Sequence, residues 1–405
     1  MYKRENLFYL LKKFDYRNTD LKNKKVLLRA CLNVATDEEG IMIDDTRYKE
    51  ALPVIKDLSN ECDTLFIVAH LGRPKEKERK FSFWNIAEIL QKDLGNKFEV
   101  VLTDDLDGDF SQSEKRKKVF LIENIRFFSG EKSKDEIERK EFAKKLASLA
   151  DIFVNDAFPD YNESASTFDV AKFLPSYLGS KFIDEVESLS EFSNPARPFV
   201  SILGGAKLSE KLDAMRSLLE VSDKVLVGGA IAYTILKAKG WGIGNSLFEE
   251  EKLEVAKEML EKFQDKIVLP VDHQIVSGFK NPNESEIEFT NNEEIPEGKI
   301  AIDIGPKTVE LFKLEIKNAK SILWNGPMGV YEWENSSNGT KEIGLTVSSN
   351  KSAFKLAGGG DSISAINKFG ISGIDHISTG GGAMLSFLAY DNFPTLDVIL
   401  DQNCN

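Results

Sequence analysis

Short apolar runs alternate with amphipathic stretches along most of the chain, and this alternation limits the possible folds more than any other feature. Runs such as KVLLRACLNV (25–34) and DTLFIVAHLG (63–72) have the length and composition of strands buried on both faces of a sheet. Stretches such as 47–60 and 209–221 carry apolar residues at helical spacing. Strands and helices in alternation predict parallel α/β sheets with right-handed crossovers.

The length of the chain predicts two domains, because 405 residues exceed what one hydrophobic core organises. We predict an α/β protein with two doubly wound, parallel-sheet (Rossmann-like) domains, 1–185 and 186–385, joined by a helix and a hinge. An amphipathic helix followed by a proline-containing turn, within 174–199, supports a boundary there. Ligands are then expected at the carboxyl ends of strands that face a cleft.

Composition excludes several kinds of partner. The formal net charge is −13 and no long Lys/Arg block occurs, which argues against sequence-independent binding to nucleic acid or anionic membranes. Cys31, Cys62 and Cys404 lack metal-ligand spacing and fit a reducing compartment. The N-terminal segment lacks a continuous apolar core, and the run 225–236 is too short to span a bilayer. We expect a cytoplasmic monomer without nucleic-acid or membrane partners.

Four glycine-rich turns follow apolar runs in the second half: SILGGAKLSEK (201–211), LVGGAIAYT (226–234), LAGGGDSIS (356–364) and ISTGGGAML (377–385). A strand that ends in glycines and opens a helix brings backbone N–H groups close to a phosphate, and the helix dipole adds positive potential. Glycine also ends strands for steric reasons alone. Four such turns in one half of the chain indicate a nucleotide.

Charged residues beside two of these turns support the same interpretation. Lys207 and Lys211 are four residues apart and are predicted to share one face at the start of a helix. Because the macrodipole disfavours cations there, a highly charged anion would explain the pair, whereas the alternative is two solvated lysines. Asp361 follows a glycine triplet, where it can cap a helix or offer a hard oxygen to Mg²⁺.

The first half places a second polar set at or just after strand ends: Arg29, Asn33, Arg47, His70, Arg73 and Arg126. Arginines in clefts favour bidentate contact with carboxylate or phosphate. Any one of the five cationic or potentially cationic members, which exclude Asn33, could be an ordinary surface cation. Together, in an acidic protein, they predict an anionic substrate on this side.

Eight motifs in order resemble the phosphoglycerate kinase family: HLGRPK (70–75), ENIRF (123–127), VNDAF (154–158), GGAKLSEK (204–211), DIGPKT (303–308), LWNGPMGVYE (323–332), GGGDS (358–362) and STGGGA (378–383). The resemblance runs from about Lys25 to Ala383. It implies the phosphoglycerate kinase fold, with 386–405 returning to the first domain. It also implies a hinge-bending glycolytic phosphotransferase with a carboxyl acceptor, which interconverts ATP plus 3-phosphoglycerate with ADP plus 1,3-bisphosphoglycerate.

The resemblance assigns roles to individual residues. The nucleotide-binding residues would be Gly205, Lys207, Lys211, Gly228, Gly229, Asn325, Glu332, Gly358, Gly359, Gly360, Asp361 and Ser362. Among them Asp361 would hold Mg²⁺ and Glu332 the ribose, while Lys207, Lys211, Gly359 and Gly360 would contact the phosphates. In the first domain Asn33, His70, Arg73 and Arg126 would bind the acceptor, and Arg47 would be the catalytic arginine.

Three segments depart from the family pattern. Cys31 replaces an aspartate of R-x-D-F-N, and 380–386 reads GGGAMLS where G-G-G-A-S-L-E is usual. The basic segment G-T-A-H-R-A-H-A-S becomes PDYNESAS (159–166), with Glu163 in the place expected for the arginine. Three interpretations follow: a glycolytic phosphoglycerate kinase, a kinase for another carboxylic acid, or a non-catalytic nucleotide-binding member. Retention of Lys207, Lys211, Asp361 and Arg47 argues against the third.

Overall fold

A computed structural model describes residues 4–112, 115–283, 286–388 and 393–403, and within it the chain divides into two compact units. Unit 1 contains the chain through Glu187 together with the C-terminal helix Pro394–Leu400. Unit 2 begins at Ser188, inside the helix Ser180–Ser190. Each unit contains a parallel sheet and several helices, which confirms the predicted α/β class with two Rossmann-like units.

Unit 1 is built on a six-stranded sheet of order β5-β6-β4-β1-β7-β8, in which all neighbours are parallel. Its strands are β1 (Lys25–Arg29), β2 (Ala35–Thr36), β3 (Met42–Asp44), β4 (Thr64–Val68), β5 (Phe98–Thr103), β6 (Lys117–Ile122), β7 (Ile152–Asn155) and β8 (Ser176–Leu178). The short strands β2 and β3 form a separate antiparallel pair. Its helices are α1 (Arg4–Lys13), α2 (Thr46–Glu61), α3 (Trp84–Leu94), α4 (Glu136–Ala147), the first part of α5 (Ser180–Ser190), and α13 (Pro394–Leu400).

Unit 2 has a second six-stranded parallel sheet, of order β11-β10-β9-β15-β16-β17. A small antiparallel sheet of order β13-β12-β14 accompanies it. The strands are β9 (Phe199–Leu203), β10 (Lys224–Val227), β11 (Ile267–Val268), β12 (His273–Val276), β13 (Glu288–Phe289), β14 (Ile300–Ile304), β15 (Ser321–Asn325), β16 (Phe354–Gly358) and β17 (His376–Ser378). The helices are α6 (Leu212–Val221), α7 (Gly229–Ala238), α8 (Leu253–Phe263), α9 (Pro306–Asn318), α10 (Asn338–Ser349), α11 (Gly360–Phe369) and α12 (Gly382–Leu388).

The central strands are apolar because helices cover them. Every residue of β4 is buried, and its alternate residues Leu65 and Ile67 belong to a core that also contains Val54 and Leu58 of α2. Leu90 of α3 lies in the same core. The apolar residues of α2 recur at three- and four-residue spacing, which places them on one helix face.

In each six-stranded sheet the first strand lies in the middle, and the chain places later strands first on one side of it and then on the other. In unit 1 the chain passes from β1 to β4 on one side and later returns to β7 on the other. In unit 2 the same reversal lies between β9 and β15. Such a switch point opens a crevice at the carboxyl ends of the strands, where ligands bind in open α/β sheets. Arg29 is in register with Val68 and Asn155, so the residues after β1, β4 and β7 gather at one edge.

The helices of the described ranges include none that is both long enough and apolar enough to cross a membrane.

Candidate functional site

Three neighbouring strands of unit 2 end together at its switch point. The N–H of Gly204, directly after β9, donates to the carbonyl of Asn325 at 3.0 Å. The Asn325 side-chain amide, at the end of β15, donates to the carbonyl of Gly358 at 2.7 Å. We call Gly204, Lys211, Asn325, Gly358 and Gly359 the glycine-edge site. Direct bonds from one strand end to the next fix the backbone here in one arrangement.

Lys211 lies across these strand ends. Its ammonium donates to the carbonyls of Gly204 at 2.6 Å and Asn325 at 3.2 Å. Burial lowers the pKa of Lys211 to about 8, although Asp361 opposes this shift. Desolvation of the Lys211 ammonium therefore costs free energy in this site. A bound anion would favour the protonated, charged form of the lysine.

The predicted pairing of Lys207 with Lys211 on one helix face is wrong. Helix α6 begins only at Leu212, and Lys211 is its N-cap residue. Lys207 lies before the turn and is exposed, 3.6 Å from the Glu210 carboxylate. The helix starts late because Lys211 closes a turn, with its N–H donating to the carbonyl of Leu208 at 3.0 Å, while its side chain reaches back to the strand ends.

Asn325 and the start of α11 form a polar recess. Asn325 is buried, and its Oδ1 atom has no hydrogen-bond partner within the described residues. Gly359 has a φ of +92°, and a Cβ there would lie 2.8 Å from the Asn325 Nδ2 atom, so both conformation and space require glycine. Gly360, which opens α11, has no atom within 4 Å of the place its Cβ would take. An open helix N-terminus beside an unpaired buried oxygen is suited to a ligand with phosphates and a cation.

Asp361 and Ser362, in the first turn of α11, have different surroundings. Asp361 is exposed and accessible to a ligand. Ser362 is buried, and its hydroxyl accepts from the N–H of Gly326 at 2.6 Å. This bond ties the helix N-terminus to the turn that follows β15.

The remaining residues predicted to bind the nucleotide lie at neighbouring turns of unit 2. Gly228 caps α7, which begins at Gly229, where φ is +65°. A Cβ at Gly229 would lie 2.6 Å from the carbonyl oxygen of Gly205, so the two glycine turns are in close backbone contact. Glu332 is exposed, and its carbonyl accepts from the Lys368 ammonium at 2.8 Å.

In unit 1 a charged cluster occupies the switch point. The Arg29 Nη2 atom lies 2.8 Å from Asp160 Oδ2, and the His70 Nδ1 atom lies 2.9 Å from the same oxygen. We call Arg29, His70, Arg126 and Asp160 the strand-end cluster, because each follows or ends a strand of the main sheet. Arg29 and His70 are both buried. A carboxylate between two nitrogen donors satisfies groups that would otherwise be costly to bury.

The charges in this cluster follow from burial and contact. Burial lowers the pKa of His70, although Asp160 opposes the shift. Burial would raise the pKa of Asp160, but Arg29, His70 and Arg126 together bring it below its usual value. Asp160 is therefore ionised throughout the neutral range.

Two buried residues behind Arg29 extend the cluster. The Ser166 hydroxyl accepts from Arg29 Nε at 2.9 Å and lies 2.7 Å from Glu131 Oε1, to which it donates. Burial raises the pKa of Glu131, while Arg29 and the serine hydrogen bonds oppose that shift. The sequence patterns point to neither Ser166 nor Glu131 as a site residue, and they include Asp160 only as part of the segment PDYNESAS (159–166).

The backbone of Gly72 connects the other residues predicted to bind the acceptor. Its N–H donates to Asn33 Oδ1 at 2.8 Å, and its carbonyl accepts from Arg126 Nη1. Arg47 Nη1 donates to the carbonyl of Asn33 at 3.0 Å. Arg73 is exposed, directly after this glycine. Hydrogen bonds and chain continuity thus bring Asn33, Arg47, Arg73 and Arg126 together in unit 1.

The structure shows the surroundings of Cys31 and Glu163, two residues of the first half that depart from the family pattern. Burial raises the pKa of the Cys31 thiol to about 11, with Asp160 adding to the shift, so the thiol is neutral where the family pattern has a carboxylate. Glu163 is exposed, and its Oε2 accepts from Arg139 Nη2 of α4 at 3.2 Å. Asp160, and not Glu163, is therefore the carboxylate that contacts Arg29 and His70, two members of the polar set predicted to bind an anionic substrate.

Comparisons with known proteins agree on one family. The model of the family described as phosphoglycerate kinase matches residues 16–390. The phosphoglycerate kinase of Thermosipho africanus is 42% identical, with 97% of this chain and 99% of that protein covered. The phosphoglycerate kinase of Dictyoglomus turgidum is 40% identical, with 96% and 98% covered.

Solved structures give the same result for the fold. The structure of phosphoglycerate kinase from Coxiella burnetii superposes with a TM-score of 0.85 at 35% identity, covering 96% of this chain and 99% of that one. That from Pyrococcus horikoshii gives a TM-score of 0.80 at 31% identity, with 95% and 98% covered. With matches of this extent in sequence and in fold, the chain belongs to the phosphoglycerate kinase family.

Proposed function

We propose that this protein reversibly transfers a phosphoryl group between ATP and the carboxylate of 3-phosphoglycerate, giving ADP and 1,3-bisphosphoglycerate, as a step of glycolysis. The observation that carries the proposal is the glycine-edge site, where Lys211, Asn325 and Gly359 meet at the switch point of unit 2 in a chain of this family. A partly buried cation and an open helix N-terminus are suited to binding a polyphosphate.

Unit 2 would bind the nucleotide. Lys211 would exchange its two carbonyl contacts for phosphate oxygens, and the exposed Lys207 would reach the same phosphates. Gly359 and Gly360 would present backbone N–H groups to the transferring phosphoryl group. The adenine would lie along the turns that contain Gly205, Gly228 and Gly229, and Glu332 would bind the ribose.

Mg²⁺ would arrive with the nucleotide. The described ranges contain no group of three or more His, Cys, Asp or Glu that could hold a metal ion by itself. They do contain the exposed Asp361 carboxylate at the start of α11 and the unpaired Asn325 Oδ1. This donor set fits an ion held by one carboxylate and by substrate phosphates, as is usual for Mg²⁺. When bound, the ion would neutralise phosphate charge.

Unit 1 would bind the acceptor. Asn33, His70, Arg73 and Arg126 would hold the acid, and Arg47 would neutralise charge on the phosphoryl group during transfer. A carboxylate acceptor is already ionised at neutral pH, so the reaction needs no general base. Catalysis then consists of positioning and electrostatic stabilisation, to which arginine, lysine and helix N-termini contribute.

The small-molecule reaction requires no macromolecular partner, and we propose a monomer in the cytoplasm. The cysteine usage of the sequence, without disulfide-like spacing, supports that compartment.

A coupled ATPase assay tests the proposal, with 3-phosphoglycerate beside a panel of other carboxylic acids. Turnover is expected with 3-phosphoglycerate, and Arg47→Ala should lower kcat about 10²-fold with little change in the KM for ATP. Lys49→Gln, on the exposed face of the same helix, is the matched control and should keep wild-type rates. Turnover of another acid alone would favour a specialised kinase, and no turnover of any acid would favour a non-catalytic role.

A further inference from the structure

Asp160 occupies a position inside the strand-end cluster where an anion is strongly held. Its backbone N–H donates to the carbonyl of Ala157 at 2.9 Å, in the turn after β7. This turn directs the carboxylate to the carboxyl edge of the sheet, beside the last residue of β1. The Asp160 side chain is 15% exposed and that of Arg29 only 2%, so the contact is largely shielded from water.

The Asp160 carboxylate contacts the same hydrogen-bond donors that a bound oxyanion would need. His70 Nδ1 lies 2.9 Å from Asp160 Oδ2 and 3.2 Å from Arg29 Nη2; because a carboxylate oxygen only accepts, the ring donates to Asp160 when its proton is on Nδ1. Arg29 directs Nη2 to the same oxygen. Its Nε donates to Ser166 and its Nη1 to the carbonyl of Ala30. Asp160 and an acceptor phosphate would therefore compete for the donors of Arg29 and His70.

We infer that Asp160 is a specificity-determining residue, whose carboxylate takes an oxyanion position between Arg29 and His70 and so weakens binding of the phosphate group of the acceptor. The inference rests on the proposed function, in which unit 1 binds the acid. It concerns the end of the acceptor that carries the phosphate, since the reacting carboxylate is common to phosphorylated and unphosphorylated acids.

The segment that contains Asp160 also lowers the positive charge available to a phosphate near the cluster. The segment PDYNESAS (159–166) contains no lysine, arginine or histidine and contributes two carboxylates. One of these, Glu163, contacts Arg139 on α4. Asp160 remains as the anion inside the cluster, where it influences Arg126 as well as Arg29 and His70. The cluster consequently offers less positive charge to a phosphate than its cations alone would provide.

Asp160→Asn is the direct test, because it removes the charge and preserves the size of the side chain. The KM for 3-phosphoglycerate should fall about fivefold, the effect of one partly screened charge, while the KM for ATP stays constant. The inhibition constant of unphosphorylated glyceric acid, measured as a competitor of 3-phosphoglycerate, should stay within about twofold of wild type. This difference between the two acids separates a charge effect from a general disturbance of the pocket.

Glu163→Gln is the matched control, since it removes a carboxylate from the same segment outside the cluster. It should leave both constants at wild-type values. An unchanged or higher KM for 3-phosphoglycerate in a folded Asp160→Asn protein overturns the inference. If the wild-type protein itself does not turn over 3-phosphoglycerate, the proposed function fails instead, so the two failures are distinguishable.

A measurement on the wild-type protein covers the case in which the asparagine variant does not fold. The chain has three histidines, so ¹⁵N NMR with His70→Gln for assignment can identify the tautomer of His70. A hydrogen bond from His70 to Asp160 requires a proton on Nδ1, and addition of 3-phosphoglycerate should shift this resonance. A neutral ring with its proton on Nε2 would overturn the inference.

Discussion

At the scale of single residues, Lys211 and Asp160 show how differently this chain surrounds two partly buried charged side chains. Lys211 is held by two backbone carbonyls, and burial lowers its pKa to about 8. Asp160 is held by two nitrogen donors, and its pKa is lowered although burial opposes this. The two contacts of the Lys211 ammonium are neutral carbonyls, so its charge remains available to a bound anion, whereas Asp160 already contacts the Arg29 guanidinium and the His70 ring. Under the proposed function, this contrast would make the nucleotide side receptive to phosphates and the acceptor side selective among acids.

The pKa of Lys211 makes nucleotide binding dependent on pH. A lysine with a pKa near its usual value stays protonated up to pH 10, but Lys211 loses its charge as the pH rises through about 8. If phosphate binding needs the ammonium, the Kd for ADP should rise about tenfold between pH 7 and pH 9. Calorimetry at several pH values would measure this. Lys211→Met should bind more weakly at every pH and lose the slope, whereas Lys257→Gln, an exposed control, should keep it. A slope that persists in Lys211→Met would assign it to another group.

The sequence predicted residues that follow glycine turns better than residues that act through distant contacts. Lys211 and Asn325 could be selected because each lies in a recognisable motif at a strand end. Asp160, Ser166 and Glu131 could not, since their importance depends on bonds to Arg29 over sequence separations of 131 and 137 residues and on a further bond between Ser166 and Glu131. Only the fold shows that such residues meet.

At the scale of elements, the apolar runs and helical spacings of the sequence predicted β1, β4 and α2 closely. The start of α6 was predicted too early because periodicity does not reveal that the Lys211 side chain reaches back to β9 and β15. The short strand β13 of the small sheet also had no clear signal, since the sequence between Gln274 and Gly298 is largely polar.

Asp303 joins two elements of unit 2 and makes their connection depend on pH. It lies in β14, and its two oxygens accept from the N–H groups of Ile304 at 2.9 Å and Gly339 of α10 at 2.6 Å. Burial raises its pKa from 3.8 to about 7, because the two backbone bonds offset only part of the cost of a buried charge. The folded state therefore retains a proton that the unfolded state releases near pH 4.

This shift predicts a loss of stability as the pH rises. Between roughly pH 4 and pH 7 the folded protein binds more protons at Asp303 than the unfolded chain, so its contribution falls by about 1.4 kcal/mol per pH unit. Asp303→Asn lacks this titration, and its free energy of unfolding relative to wild type should rise over the same window. Denaturant unfolding at pH 5 and pH 8 would measure the difference. Asp265→Asn, an exposed control in unit 2, should follow wild type, and parallel pH profiles for Asp303→Asn and wild type would contradict the assignment.

At the scale of the whole molecule, the chain completes unit 1 only at its end. After unit 2, helix α13 returns to unit 1, and the Phe393 ring stacks on Phe158 with centroids 5.0 Å apart and on Tyr161 at 5.4 Å. The Gln402 side chain accepts from the N–H of Ser176 in β8 at 3.0 Å. Phe158 and Tyr161 flank Asp160 in the sequence, so the C-terminal segment supports the turn that carries the strand-end cluster.

This arrangement predicts that a change near the C-terminus will affect the acceptor side and spare the nucleotide side. Phe393→Ala removes a buried ring and should lower the free energy of unfolding by about 3–5 kcal/mol. The Kd for 3-phosphoglycerate should fall, because the turn that holds the Asp160 carboxylate beside Arg29 and His70 loses its aromatic support. The Kd for ADP should stay constant, since Phe393 belongs to unit 1. Denaturant unfolding and calorimetry with each ligand would measure both effects. Phe279→Ala, a control in unit 2 whose ring is 66% exposed, should leave stability and the affinity for 3-phosphoglycerate near wild type. If Phe393→Ala changed the Kd for ADP as much as the Kd for 3-phosphoglycerate, the ring would be supporting the whole chain and not the turn beside it.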